Sequence, residues 1–203
     1  FMEKNIIFEL RYLLCLALAQ QKQPRFTTEV QKIAGADHNF LFGFYYRKLG
    51  KFDAALERYD ESLKERPSFS KAKREKVQVL IGMQDYEAAL NLAKLNYENY
   101  TDNPYHIQAY FSCLIKGADP IKSKDLLCKL IDDMDLIHSK IAEEMTVRLK
   151  AQYEAFINHR KEKGIELIDK AITMDESLPY ARMIKFDIAE RFADIDMVRE
   201  VLN

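Results

Sequence analysis

The residues able to do chemistry are present but scattered. The four histidines, His38, His106, His138 and His159, form no HExxH, HxH or Cys/His cluster, so the ligand spacing of a zinc site is missing. They are expected at helix ends, in solvent. Cys15, Cys113 and Cys128 are odd in number, far apart and free of any CxxC pair. That usage fits reduced core thiols in a cytoplasmic protein and not a disulfide framework. Asp132, Asp133 and Asp135, with Glu144 further on, begin like a calcium loop. Such a loop needs Gly where His138 stands and an oxygen ligand where Ile137 stands. These acids are expected to end a helix and solvate the connection that follows. No GxxxxGKS/T, GxGxxG or GxSxG motif occurs, and Ser and His are too dispersed for a triad. The sequence therefore predicts no enzyme, no catalytic residue, no metal and no cofactor.

One cluster is charged enough to suggest nucleic acid. Lys71, Lys73, Arg74 and Lys76 stand beside Arg66 with only Glu75 opposing them. On a helix, Lys71, Arg74 and Gln78 share a face, while Lys73 and Lys76 point elsewhere. The net charge is -1 and the isoelectric point about 6.5, so no global field draws the chain to nucleic acid or an anionic membrane. A solvated helix face is expected, and neither nucleic acid nor membrane as a partner. The run Tyr12 to Ala19, YLLCLALA, with Ala17 and Ala19 spaced like a cleavage site, imitates a targeting signal. Glu3, Glu9 and Arg11 stand against that, and the run is too short to span a bilayer. A buried first helix is expected there.

The elements that would carry these residues are helices. Of 203 residues, 48% are apolar and 31% charged, enough for a core and against disorder. Six Gly and five Pro are too few for a β-sandwich, which needs turn residues every ten or so positions. The decisive pattern is self-similarity at a period of about 34 residues, the length of one helical hairpin repeat. KFDAALERYDESL, starting at Lys51, shifts without a gap onto DYEAALNLAKLNY, starting at Asp85. Phe52 falls on Tyr86, Ala55 on Ala89 and Leu63 on Tyr97. A second shift places Ser123 on Ala89, Leu127 on Ala93 and Ile131 on Tyr97. The preceding helix keeps step through Tyr46, Leu80 and Leu114. Within a unit, Phe52, Ala55, Leu56, Tyr59 and Leu63 make one helical stripe. Gly50 suits a left-handed helix C-terminus, Pro67 stops the second helix, and Pro120 suits the first turn of another.

The run Gly43, Tyr46, Gly50, Phe52, Ala55, Tyr59, Pro67 resembles one tetratricopeptide repeat. The family pattern would have Trp at Asn39, Leu at Phe42 and Ala at Ser62. The second unit keeps Tyr86, Ala89 and Ala93, with Val77 for the family's Gly and Thr101 for its Pro. After Ile137 the register slips by about seven residues, a helical-repeat phase shift. Ala189 then follows Ala155, and Val198 follows Gly164, again by one period. The resemblance implies an all-α, right-handed α-solenoid of about five hairpins, over 36–69, 70–103, 104–137, 145–178 and 179–203. Residues 2–35 read as an N-terminal helix pair, a cap or a degenerate repeat. Ile195, Val198, Val201 and Leu202 leave the last helix apolar where a capping repeat would be polar. Continuation of the polypeptide, or self-association through this C-terminal end, is the expectation.

The resemblance also implies a function. In the family, first helices of successive hairpins line a concave groove that holds another protein or peptide. The helix phase puts Phe40, Leu41, Phe44 and Lys48 on its wall, then Lys71, Arg74, Gln78 and Ile81, then Tyr105, Gln108 and Ser112. An apolar patch beside a basic one would suit a peptide with a hydrophobic anchor and an acidic residue. The alternative for Phe40, Leu41 and Phe44 is that the N-terminal helix pair covers them. Two other functional classes compete with the non-catalytic scaffold: a sensory or regulatory domain of a larger signalling enzyme or ATPase, and an RNA-binding helical repeat. The near-neutral charge counts against the last.

Overall fold

The protein, seen here as a computed structural model, is described over residues 2–117, 119–174 and 179–202, the side chains of residues 2–5, 117 and 179 excepted. Among the described residues every regular element is helical. The chain forms two compact units, Phe1–Leu92 and Ala93–Asn203. The first contains α1 (Met2–Gln20), α2 (Phe26–Glu29), a tight turn of helix at Val30–Lys32, α3 (Ala36–Lys48), α4 (Phe52–Glu65) and α5 (Ser70–Gly82). The boundary falls inside α6 (Tyr86–Asn99). The second holds α7 (Pro104–Gly117), α8 (Lys124–Asp135), α9 (Lys140–Phe156), α10 (Lys161–Met174), α11 (Pro179–Arg191) and α12 (Ile195–Leu202).

Small residues set the helix spacing. Ala55 and Tyr59 are fully buried on α4. A Cβ on Gly43 of α3 would come within 2.6 Å of the Tyr59 ring, so α3 and α4 can meet at this distance only with glycine there. In unit 2 a Cβ on Gly164 of α10 would stand 2.8 Å from that of Ala155 on α9. Ser62, where the family pattern has Ala, is buried too. Its hydroxyl donates to the Ala36 carbonyl at 2.7 Å, so the extra polar atom is satisfied.

The connections inside hairpins repeat a backbone device that the sequence shows only once. Gly50 has φ +73°; its N–H donates to the Arg47 carbonyl and that of Lys51 to the Tyr46 carbonyl. This is a Schellman closure. Gln84, one period on, has φ +62°, with Gln84 N–H to the Ile81 carbonyl and Asp85 N–H to the Leu80 carbonyl. Ala193 (φ +52°) closes α11 in the same way, and His159, one period before it, is also left-handed at φ +54°. The repeat is therefore written in the turns as well as the cores.

The structure departs from expectation at several points. Pro120 lies in a turn ahead of α8, where the Asp119 carboxylate accepts from the Ile121 N–H at 3.1 Å. Ser123 is thereby left outside α8 and does not repeat the buried Ala55 and Ala89, although Leu127 and Ile131 are buried. Helix α9 starts at Lys140, ahead of the expected Met145, because Ser139 caps it by accepting from the Ala142 N–H at 3.1 Å. The expected end of that fourth hairpin at Ser177 lies outside the described residues.

Cys128 is exposed, unlike Cys15 and Cys113. It falls off the buried α8 stripe of Leu127, Leu130, Ile131 and Met134. His106 is fully buried beside the Tyr100 ring, 5.2 Å between centroids, and not solvated. His38 is also sheltered. Its Nδ1 lies 2.9 Å from the Ile33 carbonyl and 3.1 Å from that of Val30, so Nδ1 carries the proton. Helix α1 is buried on one face only, through Tyr12, Cys15 and Ala19. Ile6, Ile7, Leu10 and Leu13 are exposed on the other. No helix among the described residues is long and apolar enough to cross a membrane.

Candidate functional site

In unit 1 the expected groove residues gather around aromatic stacks and closed ion pairs. Phe40 and Leu41 belong to the core. The Phe40 ring packs on Tyr12 of α1 at 6.4 Å, Tyr59 at 5.9 Å and Phe69 at 5.0 Å. Tyr12 in turn lies under the Lys71 ammonium, 5.2 Å from its ring centre. Burial, with Asp37 nearby, pushes the Tyr12 hydroxyl above its ordinary range, so it stays neutral. Phe44 is half-buried beneath Lys48 and Arg47, at 5.1 and 5.3 Å. Burial and the Arg47 charge lower the Lys48 pKa. Gln78 and Ile81 on α5 are half-buried.

Four cations of this unit, Arg47, Arg66, Arg74 and Lys76, are already paired with acids. The buried Glu75 carboxylate is 2.8 Å from Arg47 and 3.4 Å from Arg74. Arg66 pairs with Asp37 and Lys76 with Asp60, each at 2.5 Å. Three of the five cations in the basic cluster, Arg66, Arg74 and Lys76, thus pair with acids from α3, α5 and α4, Arg74 sharing Glu75 with Arg47.

Unit 2 is built differently. Tyr105 is exposed, and Gln108 and Ser112 are half-buried, on α7. The next positions at the same helical spacing are Ile115 and Lys116. They line a pocket of about 300 Å3 together with Pro120, Gln152 and Phe156, and Asp187, Glu190 and Arg191 of α11. Three helices contribute: α7, α9 and α11. Asp187 is half-buried and, among the described residues, makes no hydrogen bond or ion pair. Burial raises its pKa; Lys116 pulls it down and Glu190 pushes it up. Elsewhere on α9, Arg148 and Glu144 form a buried pair at 2.6 Å, with the guanidinium 5.9 Å from the Tyr180 ring. No group of three or more His, Cys, Asp or Glu side chains among the described residues could hold a metal ion.

No model of a known protein family matches the sequence, and no curated protein matches it. Solved structures do match the fold. TTC0263, a tetratricopeptide protein of Thermus thermophilus, aligns over 82% of this chain and 88% of its own, with 16% identity and a TM-score of 0.63. The fold is that of tetratricopeptide-repeat proteins. PilF of Pseudomonas aeruginosa aligns over 95% of this chain and 87% of its own, at 12% identity and TM-score 0.57. As tetratricopeptide hairpins, α3–α4, α7–α8, α9–α10 and α11–α12 each pair a first and a second helix, and the unit 2 pocket is lined from three first helices. Sequence reasoning stops at Ser112 and misses Ile115, Lys116, Phe156, Asp187, Glu190 and Arg191. A signal was available: Glu190 stands one period after Phe156. The weak register of the last hairpins hid it.

Proposed function

We propose that this chain is a non-catalytic protein-interaction module that holds a peptide segment of a partner against the first helices of its hairpins. The observation that carries this function is the pocket where α7, α9 and α11 converge, with Ile115, Pro120 and Phe156 as apolar wall and charged groups around it. An apolar wall can desolvate an anchor side chain, and charges at the rim set orientation and on-rate. In unit 1 the accessible part of the expected surface is Phe44, Lys48, Lys71, Arg74, Gln78 and Ile81. A reducing compartment such as the cytoplasm fits the three free thiols. Ile195 and Leu202, exposed on α12, would allow a second contact, between copies of the chain.

The test is an affinity capture from lysate with three baits of verified helical content: wild type, Phe44→Glu with Arg74→Glu, and Ile115→Glu with Phe156→Glu. A partner held by wild type and lost by one double variant is the expected result, and it also says which unit binds. Equal capture by all three would place binding off the first helices and overturn the proposal.

A further inference from the structure

We propose that the unit 2 pocket selects a basic residue, Lys or Arg, next to an aliphatic or aromatic one in the partner peptide, an inference that rests on the peptide-binding function above. The cation would sit against Asp187 and the apolar neighbour against Ile115, Pro120 and Phe156.

From α7 Asp187 is faced by Lys116, from α9 the pocket is lined by Gln152 and Phe156, and on α11 itself by Glu190 and Arg191. Lys116 and Arg191 are exposed, and neither forms an ion pair with Asp187 within 4.0 Å. Lys116 is close enough to be felt, yet burial still outweighs it and the Asp187 pKa stays raised. A half-buried carboxylate without a hydrogen-bond donor is an electrostatic demand that a cation would meet. Solvent-exposed Lys116 and Arg191 can turn toward water, whereas Asp187 is held in the pocket.

An acidic ligand seated against Asp187 would bring a third carboxylate beside Asp187 and Glu190, an unfavourable approach of like charges that the exposed Lys116 and Arg191 would have to turn inward to offset. The contrast with unit 1 strengthens the assignment. There three acids, Asp37, Asp60 and Glu75, are each taken by an intrachain Arg or Lys. In unit 2 the carboxylate inside the pocket is left for a ligand. The apolar wall beside it makes the motif bipartite: charge for register, apolar burial for affinity.

The experiment uses the full chain as bait for a displayed library of random peptides, with Asp187→Asn and Phe156→Ala as comparators. Asp187→Asn keeps the shape and removes the charge. Wild type is expected to enrich Lys or Arg beside Leu, Ile, Met or Phe. Asp187→Asn should lose the basic preference and keep the apolar one. Peptides selected on wild type should bind Asp187→Asn about tenfold more weakly, with a shallower salt dependence. Peptides without basic enrichment, or binding Asp187→Asn as well as wild type, would overturn this inference. The module function would survive that result if Phe156→Ala still abolished binding. A library from which wild type enriches nothing, or whose peptides ignore Phe156→Ala, overturns both.

Discussion

Both units close ion pairs on their first helices, Arg47–Glu75 in unit 1 and Arg148–Glu144 in unit 2, but they differ in the acids beside their candidate surfaces. In unit 1, Arg47, Arg66, Arg74 and Lys76 are matched to Glu75, Asp37 and Asp60 over distances of 2.5 to 3.4 Å, and aromatic rings fill the space between. In unit 2 the Asp187 carboxylate stands in a pocket with no hydrogen bond or ion pair among the described residues, while the charges around it are exposed. A count of Lys and Arg along the chain points to unit 1 as the place for a charged ligand. Availability points to unit 2, because an ion pair closed inside the chain offers little to a visitor.

The sharpest way to break this contrast is to open the unit 1 pairing. Glu75→Gln leaves Arg47, four-fifths buried at its side chain, without a counter-charge. Stability should fall by about 3 kcal/mol, as when one partner of a buried pair is removed. Urea denaturation followed by circular dichroism checks it. A loss below about 1 kcal/mol would mean that the Arg47–Glu75–Arg74 cluster is solvated and that unit 1 keeps available charge.

The next effect tests the repeat itself. Ala55→Leu on α4 and Ala89→Leu on α6 put four-carbon side chains where the present methyl is fully buried. Each should cost about 1–3 kcal/mol by overpacking, read as a lower denaturation midpoint. Much of this is legible in the letters alone. Ala55, Ala89, Gly43 and Gly164 are small because helices touch there, and smallness recurring at a fixed period is visible in a string of letters. Other features are not. The burial of Phe40 depends on Tyr12, on a different helix, and no local pattern announces that stack. Cys128 reads as a core thiol, but the phase of α8 turns it outward. Pro120 reads as a helix start, but the Asp119 carboxylate holds a turn around it first. Asp187 carries no motif; its meaning comes from the helices that converge on it.

A smaller effect uses the hairpin turns. Gly50 adopts the left-handed conformation without a Cβ, whereas Gln84 and Ala193 hold it with one. Gln84→Gly in unit 1 and Ala193→Gly in unit 2 should each raise stability by up to about 1 kcal/mol, and Gly50→Ala should lower it by a similar amount. Thermal unfolding of the three variants reads this directly. The Schellman closures of the two units count as equivalent only if the two Gly variants agree in sign.

The smallest effect returns to the pocket. The folded-state pKa of Asp187 is raised above the ordinary 3.8, chiefly by burial. A raised carboxylate binds its proton more tightly folded than unfolded, so above the folded pKa its charge costs stability. That cost disappears as the pH falls through the raised value. Asp187→Asn should therefore be slightly more stable than wild type near pH 7, by a few tenths of a kcal/mol given half-exposure and solvent screening. The difference should shrink to nothing in acid. A basic peptide bound to wild type should erase the same difference at neutral pH by supplying the missing counter-charge. Asp37→Asn in unit 1 is the control of opposite sign, because it removes a carboxylate already paired with Arg66. Two acids on first helices would then respond oppositely to the same substitution, one serving the fold and the other held for a ligand.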